Sequence, residues 1–408
     1  MDKALSRRPL VSPRLLVAAL ATAAACSACG GGGSPAAGPG PGPGPAPGVI
    51  PADFVKQTID LSVYPDAVCN DGSPAIFYIQ RGLGAAAAAN ADKTVIGLQG
   101  GGYCLSDAEC STRPADLTSS TGYANVTAAE GLLSGDAGNA SFRSWNRVRV
   151  PYCSSDFFSG DTGPTGGTTN FRFRGSKIVT AVVQTLKNRY GIGKAGDTVI
   201  LAGGSAGAVG AFINANRVRA ALPGASVLTL IDAGIYPDVP PPVPGTAPRE
   251  SVRDLGAIGL SYWNGQVDAD CIAANAANPG LCYLFEHAQA TLKTPFFVAQ
   301  NAKDAVSIVN VGLLEGASSL ENPTVANWVD TTYLPAIADI LRGLGLSAGQ
   351  GVFAVCESPD VHTLSSDAAL WTEPVADVGG LSLEDAVVSW AAGGGTATRA
   401  LTPSCNFP

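Results

Sequence analysis

The 408-residue chain carries 33 acidic against 25 basic side chains, a formal charge of −8, and 46% hydrophobic residues. That balance excludes nucleic acid as a partner bound by bulk attraction, and a polyanionic substrate would have to be held locally.

The N-terminus carries a leader. Lys3, Arg7, Arg8 and Arg14 precede the apolar run from Leu15 to Ala25, which is too short for a stable membrane span, so residues 1–29 are expected to be a signal peptide. Removing it takes the net charge to about −11. Cys26, Ser27, Ala28 and Cys29 follow, then glycines and Gly-Pro repeats as far as Pro47, so residues 30–48 read as a semi-extended tether. A cysteine after small residues resembles a bacterial lipoprotein signal, and Cys29, with the glycines directly behind it, is the better candidate for acylation. Such a signal usually has Leu three residues before the modified cysteine, where Cys26 stands here, so secretion and a membrane lipid anchor both stay open.

About 360 residues remain, 49–408, enough for one large domain with a substantial core. Apolar runs at Thr94–Leu98, Val148–Val150, Thr198–Ala202, Val227–Asp232, Pro295–Gln300 and Val352–Cys356 predict buried strands. Between them, Lys177–Tyr190, Ala206–Ala221 and Trp328–Leu344 have helical spacing, the first stopped by Gly191. Alternation of this kind predicts an α/β fold, a mostly parallel central sheet covered by helices on both faces. Ser106–Phe142 and Tyr236–Leu281 break the rhythm and are expected to be loop insertions that wall a substrate cleft.

Eight cysteines fall in the domain: Cys69, Cys104, Cys110, Cys153, Cys271, Cys282, Cys356 and Cys405. An even number in an exported chain with two histidines and no CxxC spacing points to disulfides and away from zinc.

The segment TVILAGGSAGAVGA, Thr198 to Ala211, runs a strand into Gly203-Gly204-Ser205-Ala206-Gly207 and then a helix. This is G-x-S-x-G in the setting of an α/β-hydrolase nucleophile elbow: the serine needs a strained turn, and small neighbours let that turn approach adjacent elements. A Gly-rich turn with an incidental serine is the alternative. Leu98-Gln99-Gly100-Gly101-Gly102-Tyr103-Cys104 follows another strand, and such a glycine loop supplies backbone N–H groups to an oxyanion. No Lys-Ser/Thr follows it, as a phosphate-binding loop would require. His362 lies after the last strong strand in CESPDVHTL, where a nucleophile-first hydrolase places its base, whereas His287 in YLFEHAQA suits a structural helix position. Asp304 follows its strand and is favoured as the orienting acid, with Asp232 second.

Together these segments resemble the pectin acetylesterases and their relatives, the Notum-type depalmitoleoylases. LQGGGYC with Cys110 and Arg113, Tyr152-Cys153-Ser154-Ser155-Asp156-Phe157-Phe158-Ser159-Gly160-Asp161, Phe173-Arg174-Gly175, GGSAGA at Gly203 to Ala208, Asp232-Ala233-Gly234 and TPFFVAQNAKDAVSI recur in the family's order. Gln99, Tyr103, Gly204, Val306 and the residues around His362 depart from its pattern. The resemblance implies a triad of Ser205, Asp304 and His362, oxyanion N–H groups from Gly101, Gly102 and Ala206, and disulfides Cys69–Cys153 and Cys104–Cys110. Elimination then leaves Cys271 with Cys282 and Cys356 with Cys405.

The expected activity is hydrolysis of a carboxylic ester through an acyl-enzyme, with no metal or organic cofactor required. The substrate implied is an acetylated polysaccharide such as pectin; other small or lipophilic acyl esters are the alternative. A non-catalytic glycan-binding surface protein on the same scaffold is the rival of another class.

Overall fold

The computed structural model describes residues 48–164, 170–242, 250–314, 317–344, 349–375, 380–393 and 399–401. The leader, the tether, Cys29 and Cys405 lie outside the described residues.

Among the described residues nine strands form one sheet: β1 (Val55–Thr58), β2 (Ile76–Gln80), β3 (Lys93–Leu98), β4 (Asn146–Val150), β5 (Thr198–Gly204), β6 (Ser226–Asp232), β7 (Phe296–Asn301), β8 (Gly351–Val355) and β9 (Arg399–Leu401). Their order is β1-β2-β4-β3-β5-β6-β7-β8-β9. The pairs β1–β2 and β2–β4 are antiparallel, and every later pair is parallel. All six strands expected from their apolar runs are present. β1, β2 and β9 were not expected. The first two are short strands of four and five residues in the antiparallel part of the sheet, and β9 has only three residues, too few to leave a periodic signature.

Alternation along the strands divides the core between two faces. Val95, Ile200, Leu228, Phe297 and Phe353 pack with Trp371 and Trp390. Their neighbours Ile96, Val199, Val227, Phe296 and Val352 pack on the opposite face with residues of the Gly175–Tyr190 and Ala206–Ala221 helices. The first of these helices ends where its sequence says it should, with Gly191 left-handed at φ 69°. Helices thus cover both faces, as parallel strands require.

Two expectations need correction. The helix expected over Trp328–Leu344 begins earlier, as Pro323–Trp328, passes through a π turn at Val329–Tyr333 and resumes as Leu334–Gly343. Pro335 has no N–H for the ladder, and a wider turn accommodates it. The second insertion is not irregular throughout, because it contains the helices Val252–Tyr262 and Ala269–Ala274, with Ser251 and Asp268 as side-chain caps. The proline cluster before them hid their periodicity.

Cys69–Cys153, Cys104–Cys110 and Cys271–Cys282 are disulfide-bonded, as expected. The fourth expected pair, Cys356–Cys405, falls partly outside the described residues. No helix among the described residues is long and apolar enough to cross a membrane.

Candidate active site

The turn at the carboxyl end of β5 is built by close approach. A Cβ on Gly203 would lie 2.0 Å from the Gly207 carbonyl oxygen, and one on Gly207 would lie 2.1 Å from that of Leu98. Neither position admits a side chain, so both glycines of the motif are sterically required. Between them Ser205 sits at φ 57° and ψ −125°, a conformation costing about 1–3 kcal/mol that persists only where its surroundings impose it. They do so here: the Ser205 N–H donates to the Asp232 carbonyl at 2.9 Å, and the Ser205 carbonyl accepts from Ala208 N–H at 2.9 Å.

The two candidate acids have different partners. Asp304, after β7, is fully buried and its Oδ2 lies 2.7 Å from His362 Nδ1, in the loop after β8. A carboxylate only accepts, so Nδ1 carries the proton and Nε2 keeps a lone pair. Nε2 is buried with no hydrogen-bond partner among the described residues. Asp304 is itself fixed by Val306 N–H at 2.9 Å and Ser307 Oγ–H at 2.6 Å. Asp232 does something else. It accepts from Leu364 N–H, Ser365 N–H and Ser365 Oγ–H at 3.1, 2.7 and 2.6 Å, anchoring the loop that carries His362. Burial pushes its carboxyl up, against those donors and the nearby His362. His287 lies apart from this group, half-buried on the short helix Phe285–Ala288, with Nε2 3.5 Å from Glu286.

Gly102 and Ala206 line the same cavity as Ser205, and the N–H groups of Gly101, Gly102 and Ala206 have no partner among the described residues. The glycine loop is held from behind by Arg113, which donates to the Gly101 carbonyl at 2.6 Å, the Tyr103 carbonyl at 3.1 Å and Ser155 Oγ at 2.7 Å. Because a peptide unit is planar, fixing the Gly101 carbonyl also fixes the direction of the Gly102 N–H. Trp263 Nε1–H donates to the Cys104 carbonyl at 2.8 Å, and Tyr262 Oη–H to Asp107 at 2.6 Å, so the two insertions meet over this loop.

Ser205 opens into a cavity of about 100 Å³ lined by Tyr103, Phe157, Tyr236, Leu255 and Val306 among others. The Tyr236 hydroxyl faces Ser205 and Ser307; burial pushes it up and the Asp304 carboxylate adds to this, keeping it a neutral donor. Sequence reasoning gave Tyr236, Arg113 and Ser307 no role in the site. Tyr236 stands four residues beyond Asp232 and Ser307 three beyond Asp304, so position after a strand end was the available signal.

The strand order, with a serine elbow after β5, an acid after β7 and a histidine after β8, defines an α/β-hydrolase. A crystal structure of the Wnt deacylase Notum from Drosophila superposes with a TM-score of 0.73 at 24% identity, covering 86% of this chain and 96% of that one. A model of the pectinacetylesterase family matches residues 51–398, and the chain belongs to that family. Pectin acetylesterase 11 of Arabidopsis thaliana is 30% identical over 267 residues, which is 64% of this chain and 66% of the relative. The palmitoleoyl-protein carboxylesterase NOTUM of Mus musculus is 30% identical over 352 residues, 81% of this chain and 64% of the relative. The chain thus spans a little under two thirds of the length of these curated relatives.

Proposed function

We propose that the protein is a serine carboxylesterase that removes short acyl groups, acetyl above all, from an acetylated polysaccharide such as pectin. The observation that carries this reading is the 2.7 Å contact between buried Asp304 and His362, whose second ring nitrogen has no partner among the described residues, on a loop whose next residue, Thr363, packs against Gly204 of the strained serine elbow.

In this mechanism the Ser205 hydroxyl turns to His362 Nε2 and gives up its proton as it attacks the ester carbonyl. Asp304 keeps the imidazole in the tautomer that can accept it and stabilises the imidazolium. The Gly101, Gly102 and Ala206 N–H groups bind the oxyanion, as oriented dipoles that need no rearrangement when charge develops. His362 returns the proton to the leaving alcohol, and water then resolves the acyl-enzyme by the same steps. The two kinds of relative, pectin acetylesterases and palmitoleoyl-protein carboxylesterases, differ in acyl length by name. The cavity beside Ser205, about 100 Å³ and walled by Tyr103, Phe157 and Tyr236, is small, which favours acetyl over a long acyl chain. Three disulfides suit an oxidising compartment. Export through the leader, with or without acylation at Cys29, is part of this reading.

A fluorophosphonate probe should label the wild type and leave Ser205→Ala unlabelled, with thermal midpoints nearly equal. In an ester panel, acetate should be cleaved faster than octanoate, and acetylated pectin and xylan should release acetate. Absence of labelling in a folded wild type would favour the binding-protein alternative.

A further inference from the structure

Ser205 and the acid that orients its base are joined by a second route, which bypasses the imidazole. Tyr236, four residues beyond the end of β6, lines the cavity that holds Ser205, and its hydroxyl is within hydrogen-bonding reach of Ser205 Oγ and of Ser307 Oγ. Ser307 Oγ–H donates to Asp304 Oδ2 at 2.6 Å, and the same Oδ2 lies 2.7 Å from His362 Nδ1. The hydroxyls of Ser205, Tyr236 and Ser307 therefore run from the nucleophile to the very oxygen that holds the histidine.

The run has a direction, set by its protons. A carboxylate only accepts, and each hydroxyl has one proton to give. The proton of Ser307 is committed to Asp304, so the Ser307 oxygen can only accept from Tyr236. The proton of Tyr236 is then committed to Ser307, and the Tyr236 oxygen can only accept from Ser205. His362 agrees from the other side: Nε2 is buried with no partner among the described residues, so the Ser205 proton is not on it. Burial and the Asp304 carboxylate keep the Tyr236 phenol protonated, as this order needs. Each donation polarises the next hydroxyl, and the run ends on a charge, where hydrogen bonds are strongest.

We propose that Tyr236 is a positioning residue that holds the resting Ser205 hydroxyl away from His362, so that the serine becomes a nucleophile only by leaving Tyr236 for Nε2. The proposal rests on the esterase reading and adds a step before the attack. In that step one hydrogen bond replaces another: Ser205 Oγ–H passes from Tyr236 Oη to His362 Nε2, and the proton stays on Ser205 until the ester carbonyl is attacked. Because Tyr236 is in the wall of the same cavity as Ser205, the exchange takes place beside the bound acyl group.

The test removes one oxygen atom. Tyr236→Phe keeps the ring in the cavity wall and deletes the acceptor for the Ser205 proton. Labelling by a fluorophosphonate reports attack by the serine without a deacylation step. It should be about fivefold faster than in the wild type, the size of one net hydrogen bond, through the maximal rate and with the half-saturating concentration unchanged. Tyr333→Phe is the control, since the Tyr333 hydroxyl is buried near Asp304 with no partner among the described residues; its rate should match the wild type. An unchanged or slower rate in folded Tyr236→Phe, a gain confined to the half-saturating concentration, or an equal gain in Tyr333→Phe would overturn the proposal, because loss of a merely structural contact does not speed the attack. A second arm needs no catalysis: crystal structures should show Ser205 Oγ on Tyr236 in the wild type and turned to His362 Nε2 in Tyr236→Phe. Ser205 Oγ already on Nε2 in the wild type would overturn the assignment. If the rotation were seen but neither protein were labelled, the esterase reading would fail and the role of Tyr236 in holding Ser205 would stand.

Discussion

The two buried acids near His362 make opposite predictions for the same chemical change. In Asp304→Asn, the amide oxygen can keep the bond from Val306 N–H, which turns the amide NH₂ toward Ser307 and His362 Nδ1. The imidazole must then accept at Nδ1 and carry its proton on Nε2, where it cannot take one from Ser205. The corresponding exchange in a serine protease cost about four powers of ten in kcat. At about 1.36 kcal/mol per tenfold that is a barrier increase of about 5.5 kcal/mol. Asp232→Asn instead sets an NH₂ against one of three donors, from Leu364 N–H, Ser365 N–H and Ser365 Oγ–H. An unsatisfied buried donor costs about 1–3 kcal/mol, in stability more than in chemistry. Hydrolysis of p-nitrophenyl acetate, normalised to folded protein by thermal melt, separates the two. Asp304→Asn should lose about 10⁴ in turnover at a near-normal midpoint, and Asp232→Asn should melt earlier yet keep a tenth or more of its turnover. Should folded Asp232→Asn be the inactive one, the assignment of the acid is wrong.

His362→Ala should be nearly inactive and His287→Ala nearly normal in the same assay, and the reverse pattern would displace the base. Folding should also carry a pH signature from Asp156, which is fully buried. Burial pushes its carboxyl up to about 6, although Ser154 Oγ–H and the Gly160 and Gly175 N–H groups favour the ion. Because that lies above the unfolded value of about 3.9, the proton is held more tightly in the folded state. Its contribution to stability is fully present below the unfolded value and is lost as pH rises through about 6, by up to about 3 kcal/mol. The wild-type midpoint minus that of Asp156→Asn should therefore fall between pH 4 and pH 7. A difference that stays flat would show that Asp156 ionises as readily folded as unfolded.

The sequence by itself determined the features whose causes are local. The apolar runs of β3 to β8 announce strands buried on both faces, Gly191 ends its helix because a left-handed residue is needed there, and G-x-S-x-G announces the elbow because small residues two positions either side of the serine let the turn approach its neighbours. Chain order placed Ser205, Asp304 and His362 after β5, β7 and β8, but it offered Asp232 as an alternative that only distances could weigh. What the tertiary structure decided is what depends on elements far apart in the chain. Asp304 meets His362 across 58 residues and Asp232 meets Ser365 across 133, so two similar buried acids take different partners. Arg113 and Trp263 reach the glycine loop from separate insertions. Such contacts leave no periodicity in the sequence, since what brings them together is packing of the whole sheet rather than the conformational preference of any one segment.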